Sequence, residues 1–261
     1  MDPAERIRRA GSFAGVAREY DRGRPGYPPQ AIEWILGPRS LEVLDLGAGT
    51  GKLTDAVLAA GHAVVAVEPL AEMRDVLAAR HPDLRVLAGS AERLPLEDRA
   101  VDAVVVGAAF HWFEQETALA EIVRVLRAPG VLGLLGNTFQ TDGSWAAELR
   151  SILGQATRSR PGHWPEPGRM AGIFATVEEA EFPHAQEMTL AQIRDYASSR
   201  SSFAVLGDRE RRERLAQIDG LWERTPELAG SGAAEVRWVT RALRCGGLLA
   251  QPSQGPVKPP A

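Results

Sequence analysis

The sequence predicts a doubly wound α/β fold, a mainly parallel sheet with helices on both faces, and three observations carry that expectation. A short apolar run, Val43-Leu44-Asp45-Leu46, opens into three glycines at alternate positions, Gly47, Gly49 and Gly51. A second apolar run, Ala63-Val64-Val65-Ala66-Val67, ends in an acid, Glu68. Strand-like and amphipathic segments then keep alternating as far as residue 136. Repeated βα units with short connections give a parallel sheet covered on both sides. Such a sheet binds its ligand at the carboxyl ends of its strands.

Residues 4–20 read as one or two short polar helical turns, with Ile7, Phe13, Val16 and Tyr20 available to pack. The prolines and glycines of 22–29 demand extended or turning backbone. A short helix over 30–36 precedes the first buried strand, 41–46. The amphipathic stretch 53–60 forms a helix that Gly61 stops. Strand 63–68, helix 70–80, strand 84–88 and strand 101–107 follow. Helix 115–127 shows the plainest period, with Leu119, Ile122, Val123 and Leu126 at i, i+3, i+4 and i+7. Strand 131–136 closes this half.

In the second half, 145–156 reads as a helix and 160–168 as an irregular loop. Segments 181–189 and 235–244 are strand candidates, the second with Val236, Trp238 and Thr240 at alternate positions. The mixed-charge run 209–214 reads as a solvated helix face. The Pro-rich stretch 251–261 reads as a disordered tail.

Composition narrows the function classes. A chain of 261 residues suits one α/β domain with additions and a substantial core. A net charge of -4 lacks the basic footprint of a nucleic-acid binder. No stretch reaches the ~20 apolar residues of a membrane span. The first residues carry neither a basic nor an apolar leader region, so a cytoplasmic location is expected. Cys245, the single cysteine, cannot form an internal disulfide. His62, His81, His111, His163 and His184 lack metal-ligand spacing, and no metal is expected.

The glycine spacing narrows the cofactor. A dinucleotide fingerprint reads G-x-G-x-x-G, and the position of its third glycine is Lys52. A phosphate-binding P-loop fails as well, since Leu53 follows Gly51-Lys52 and Leu46 stands where that motif begins with glycine. Asp45 would repel a phosphate but suits an ammonium group. An acid at the tip of the second strand can accept both hydroxyls of a ribose. A nucleoside with an ammonium and no phosphate fits these requirements, as S-adenosyl-L-methionine does.

Five pieces in register carry a family resemblance over residues 13–137. Asp45-Leu46-Gly47-Ala48-Gly49-Thr50-Gly51 and Glu68 come first. Gly89-Ser90-Ala91-Glu92-Arg93-Leu94-Pro95-Leu96 follows, then Val101-Asp102-Ala103-Val104-Val105-Val106 with Phe110-His111-Trp112. Last comes Leu126-Arg127-Ala128-Pro129-Gly130-Val131-Leu132. Together they resemble the class I S-adenosylmethionine-dependent methyltransferases, in the small-molecule type 11 branch.

The resemblance implies a Rossmann-like seven-stranded sheet ending in an antiparallel pair. It implies one domain over 1–250, with 1–29 covering the cofactor and 138–234 carrying substrate-cover insertions. It places the cofactor against Tyr20, Arg24, Asp45, Gly47, Ala48, Gly49, Gly51, Glu68, Ser90, Ala91, Glu92 and Ala108. Ser90 departs from the family, where an acid commonly meets the adenine amino group. Arg24 suits a carboxylate, from the methionine tail or from an acidic substrate.

Methyl transfer needs alignment and exclusion of water more than a catalytic dyad. His111, just past the fourth strand, suits proton abstraction at neutral pH, or else packs the strand end. Trp145, His163, Trp164, His184 and Phe203 fall where relatives vary their substrate cover. The expected partner is a small-molecule methyl acceptor, with no nucleic acid and no membrane, in a monomer or homodimer. Two alternatives stand beside this reading: an NAD(P)-dependent oxidoreductase, and a non-catalytic S-adenosylmethionine-binding partner protein.

Overall fold

A computed structural model describes residues 11, 14–141, 143–154, 167–204 and 206–249. Seven strands form one sheet: β1 (Glu42–Leu46), β2 (Ala63–Val67), β3 (Arg85–Leu87), β4 (Val101–Gly107), β5 (Leu126–Phe139), β6 (Phe174–Met188) and β7 (Ala234–Leu248). Their order is β3-β2-β1-β4-β5-β7-β6. The first five run parallel, while β7 lies antiparallel to β5 and β6 antiparallel to β7. The chain winds outward from β1 in one direction and from β4 in the other. A crevice therefore opens between their carboxyl ends, the switch point of such sheets.

Both faces of the sheet are buried, which is why its strands read as nearly continuous apolar runs. On one face Val43, Ala103 and Val105 pack on helices α2 (Pro29–Leu36) and α3 (Lys52–Ala59), through Ile32, Ile35, Leu53 and Val57. Helix α4 (Ala71–Arg80) joins them through Leu77 on Ala66 and Ala48. On the other face Leu44, Leu46, Val104 and Val106 meet α5 (Gln115–Val125) through Leu119, Ile122 and Val125. Adjacent strand residues point to opposite faces, so one run of sequence feeds two cores.

Several boundaries differ from the expected ones. Helix α5 ends at Val125 instead of 127, and the chain pairs with β4 at once. The register jumps from Val101–Leu126 to Ala103–Val131, so 127–130 bulge outward. Arg127 there reaches Asp102 at 3.1 Å and Glu42 at 2.8 Å. Strands β6 and β7 are longer than the candidates 181–189 and 235–244. Cross-strand pairs Glu178–Arg244 and Glu179–Arg241, each 3.0 Å, line the hairpin, and β6 tolerates Pro183 because it is an edge strand.

At the amino end, α1 (Ala17–Gly23) continues through Arg22 and Gly23 into the stretch expected to be irregular, and Arg24 is the first extended residue. The expected helix 145–156 is α6 (Ser144–Ile152). A short α7 (Pro167–Met170) replaces the end of the expected loop. Ile7, Phe13, His163, Trp164 and the tail 251–261 lie outside the described residues.

Beyond the carboxyl end of the sheet a second core forms a cap. It is built from α6, α8 (Leu190–Ser198), α9 (Ser201–Ala204), α10 (Asp208–Arg224) and α11 (Pro226–Ala229), packed on the protruding ends of β5, β6 and β7. Trp238 is buried at its centre, with Phe139 and Tyr196 set edge-on at 5.6 and 5.2 Å. The run 209–214 lies on α10, where Arg209–Glu213 and Arg214–Glu210 pair along the helix. No described helix is long and apolar enough to cross a membrane.

Candidate active site

A cavity of about 690 Å³ lies at the carboxyl ends of β1, β2 and β4, under the cap. Of the residues the sequence singles out, Tyr20, Arg24, Gly47, Gly49, Glu68, Ser90, Glu92, Ala108 and His111 line it. The loop after β1 supplies the floor. Gly47 donates its N–H to the Val67 carbonyl at 2.8 Å, which ties the loop to the tip of β2. Gly49 adopts a φ of 58°, and a Cβ added there would meet nothing nearer than Tyr20 Cε1 at 3.9 Å. The space over Gly49 is therefore open to a ligand, and any side chain would fill it.

Glu68 is held from both sides. One carboxylate oxygen accepts the Gly49 N–H and the other the Leu70 N–H, each at 2.9 Å. Burial raises its pKa, and these two backbone bonds and Arg74 work against that rise. The carboxylate is thus aimed at the cavity before any ligand arrives, with lone pairs left for further donors. Ala108, at the end of β4, holds a φ of 53°, a region sparsely used by residues other than glycine. Such strain persists where the surroundings fix the backbone, and here the Ala108 N–H donates to Leu135 O at 2.8 Å.

Four expected cofactor residues stand away from the cavity lining. Asp45 is fully buried and its Oδ2 accepts the Thr54 hydroxyl at 2.6 Å, fastening α3 to β1. Its other oxygen, Oδ1, has no hydrogen-bond partner. Burial first, and then the nearby Glu68 charge, push its pKa up to about 7 despite the Thr54 bond. Ala48 packs with Ala66 and Leu77, and Ala91 belongs to the core under β2 and β4. Gly51 sits at a φ of 94°, where a Cβ would come within 2.4 Å of Leu77 Cδ1, so it serves the α3–α4 contact. A motif reading cannot separate these from their neighbours, because cavity-lining and core-facing residues are interleaved along the same loops.

The roof is a clasp between α1 and α8. Gly23 packs so closely that a Cβ there would lie 2.2 Å from the Tyr196 nitrogen. Arg22 pairs with Asp195 through two bonds of 2.7 and 3.1 Å. Arg24 donates to the Ser199 hydroxyl at 3.0 Å and the Ser199 carbonyl at 2.8 Å. On the sheet side Asp21 pairs with Arg80 and, at 3.5 Å, with Lys52. Helix α1 therefore braces the cap against the start of α3 and the end of α4.

The cavity also takes in Leu70, Met73, Trp112, Phe113, Glu114, Arg200 and Ser201, which sequence reasoning did not assign to the cofactor. Trp112 and Phe113 follow His111, whose ring lies 4.4 Å from that of Trp112. Glu92 accepts the Glu114 N–H at 2.8 Å, and Glu114 caps α5 through the Thr117 N–H. Arg200 and Ser201 depend on α8, a helix that sequence reasoning missed and whose start is a capping box in which Thr189 and Gln192 bond reciprocally. The expected cover residues Trp145, His184 and Phe203 do not line the cavity. Phe203 and Trp145 pack in the cap, and His184 lies 3.1 Å from the Thr240 hydroxyl.

A glycine floor after β1, an acid at the tip of β2 and a crevice at the switch point define a nucleoside-binding α/β protein. A family model described as "Methyltransferase domain" matches residues 44–134. An uncharacterized methyltransferase of Mycobacterium tuberculosis is 40% identical over 236 residues, covering 89% of this chain and 94% of the relative. One from Schizosaccharomyces pombe is 32% identical over 239 residues, covering 88% and 95%. A solved structure from Anaeromyxobacter dehalogenans, assigned as a type II methyltransferase, shares the fold with a TM-score of 0.63 at 22% identity, covering 87% of this chain and 99% of that one. The chain belongs to the class I S-adenosylmethionine-dependent methyltransferases, in the type 11 branch.

Proposed function

We propose that this chain transfers a methyl group from S-adenosyl-L-methionine to a small-molecule acceptor held beneath the α1–α8 clasp. The observation that carries this reading is Glu68, a carboxylate fixed at the cavity wall beside the open face of Gly49. When bound, the cofactor supplies a methyl group on a sulfonium, which the acceptor's lone pair takes as the carbon–sulfur bond breaks and sulfur keeps the pair.

The residues present fit that cofactor. Glu68 accepts the ribose hydroxyls, Gly47 and Gly49 let it approach bare backbone, and Ser90 and Glu92 bound the adenine side. Leu70 and Met73 give that side an apolar wall. Asp45 acts from behind the loop, by fixing α3 and by placing a buried carboxyl under the floor. Tyr20 and Arg24 close the roof and exclude water, which strengthens every charge interaction inside.

His111 receives the proton of an acceptor hydroxyl, and Trp112 and Phe113 bound the acceptor beside it. An amine or carboxylate acceptor would need no base, and His111 would then orient it. Incubating the purified chain with methyl-labelled cofactor and a small-metabolite extract tests the reading. Label is expected in a small organic product. Cofactor binding with no transfer to any metabolite would favour a non-catalytic binding protein.

A further inference from the structure

A single guanidinium, that of Arg80 at the end of α4, holds the glycine loop, α3 and α1 together. Its Nη1 donates to the Thr50 carbonyl at 3.3 Å and to Asp55 Oδ2 of α3 at 2.8 Å. Its Nη2 donates to Asp21 Oδ1 of α1. The Arg80 and Asp21 side chains are only 27% and 21% exposed, so solvent screens this pair less than an ordinary surface pair. Asp55 is held from its other side, with Oδ1 2.6 Å from His81 Nε2.

These contacts close a ring that begins and ends at Gly49. Thr50 stands between Gly49, which lines the cavity, and Gly51, where a Cβ would lie 2.4 Å from Leu77 Cδ1 of α4. The α4 residue that grips the Thr50 carbonyl also grips Asp21. Asp21 adjoins Tyr20, and Tyr20 Cε1 is the nearest atom to a Cβ added at Gly49, at 3.9 Å. Tyr20 thus stands over the open face of the glycine loop. The other end of α4 reaches the cavity as well, since the Leu70 N–H donates to Glu68, and Leu70 and Met73 line the wall. A shift in the loop, in α4 or in α1 therefore pulls on the other two.

We propose that Arg80 is a positioning residue, which latches Tyr20 over the cofactor when the cofactor fixes the glycine loop beneath it. The proposal deepens the methyltransferase reading and rests on it. A ligand on Gly49 favours a closed α1 only if it interacts differently with the closed and the open arrangement. Tyr20 supplies that difference, because its ring meets the ligand only when α1 is down. The Thr50 carbonyl and the Asp21 carboxylate take donors from one planar guanidinium, whose rigid fork sets their relative position. A lysine, with one compact ammonium on a flexible stem, spans the two less well. Closure of this kind keeps water from the reacting groups and delays release of the ligand.

The test uses the full chain with Arg80→Gln, Arg80→Lys, Asp21→Asn and the Arg80→Gln/Asp21→Asn double variant, each shown to be folded by circular dichroism. Asp21 lies on α1, outside the sheet, so its variant decides the matter if Arg80→Gln does not fold. The probe is S-adenosyl-L-homocysteine. Its dissociation is timed by chasing labelled with unlabelled ligand, and its effect on the backbone is read by hydrogen exchange. In the unmodified chain the ligand should slow exchange in both α1 and the 47–51 loop. In Arg80→Gln the loop should still respond and α1 should not. Dissociation should be at least about fivefold faster in Arg80→Gln and in Asp21→Asn, as loss of a partly screened ion pair allows. The double variant should stay within about twofold of the faster single one, because both act through one contact. Arg80→Lys should fall between Arg80→Gln and the unmodified chain. A purely structural arginine would lower thermal stability but leave dissociation unchanged and α1 still protected by the ligand. That pattern overturns the proposal, and so do effects that multiply in the double variant. An unmodified chain that binds neither S-adenosyl-L-homocysteine nor S-adenosyl-L-methionine removes the methyltransferase reading itself, and this proposal with it.

Discussion

The floor and the roof of the cavity are built on different principles. The floor comes from β1, β2 and β4, all within 66 residues of sequence from Glu42 to Gly107, and from the loops that follow each of them. Its backbone hydrogen bonds are local to the sheet, such as Gly47 and Ala48 to Val67 O. The roof joins α1 to α8 and its cap residue across more than 170 positions of sequence, through Arg22–Asp195 and Arg24–Ser199. The floor is therefore held by neighbouring strands of one sheet, while the roof depends on contacts between segments far apart in sequence.

The largest expected effect sharpens that division at the one place where chemistry meets it. General-base contributions are typically about 10²–10⁴-fold. With a hydroxyl acceptor in hand, His111→Ala should lower turnover at least about a hundredfold, measured by product formation at saturating cofactor, with cofactor affinity changed only a few-fold. A loss of only a few-fold would move His111 from proton transfer to alignment.

Glu68→Ala tests the floor. Hydrogen bonds to a charged acceptor contribute about 1.5–3 kcal/mol each, so affinity for S-adenosyl-L-methionine should fall at least about tenfold. The loop loses its anchors on Gly49 and Leu70 at the same time, so Glu68→Gln, which keeps the shape, should lose less. Equal losses in the two variants would show that the charge contributes nothing.

Gly23→Val tests the roof alone. Its Cβ would fall within 2.6 Å of three backbone atoms of Asp195 and Tyr196, which cannot give way as a flexible side chain could. Overpacking of this kind costs about 1–3 kcal/mol, and here it should part α1 from α8 while the sheet stays intact. Hydrogen exchange should quicken in α1 and α8 and remain unchanged in β1 and β4. Uniform quickening would mean that clasp and sheet form one cooperative unit.

Asp45→Asn leaves the cavity lining untouched and probes the ground beneath the floor. In the fold the carboxyl titrates at about 7 because it is buried, against about 3.9 in an unfolded chain. Between these values the folded state holds a proton that the unfolded state has released. Stability should therefore fall as pH rises through this window, and the loss is complete above about 7. Denaturant titrations at pH 5 and pH 8 should differ less for Asp45→Asn than for the unmodified chain. An equal difference would mean that Asp45 titrates normally.

The same contrast explains what the sequence made legible. The floor is local, so periodicity, alternate glycines and a strand-end acid reveal it from β1 to α5. The expected Gly47, Gly49, Glu68 and Ser90 do lie around one cavity. Asp45, Ala48, Gly51 and Ala91 share that motif region but meet Thr54, Ala66, Leu77 and the core, because core-facing and cavity-lining residues are interleaved along these loops. The roof was legible only in pieces, as the helix 145–156, the helix face 209–214 and the strand 235–244. Its core draws Phe139, Tyr196, Phe203 and Trp238 from four separate elements, and no local pattern brings those together. Helix α8 was missed, although Thr189 and Gln192 form a capping box at its start, and nothing in the sequence marked Arg200 as a wall of the cavity.

Calorimetric titration of the full chain with S-adenosyl-L-methionine, and separately with NAD, tests the central claim most directly. One equivalent of S-adenosyl-L-methionine should bind, NAD should not, and Glu68→Ala should weaken the former at least about tenfold. Binding of NAD in place of S-adenosyl-L-methionine, or an affinity indifferent to Glu68, would contradict the account.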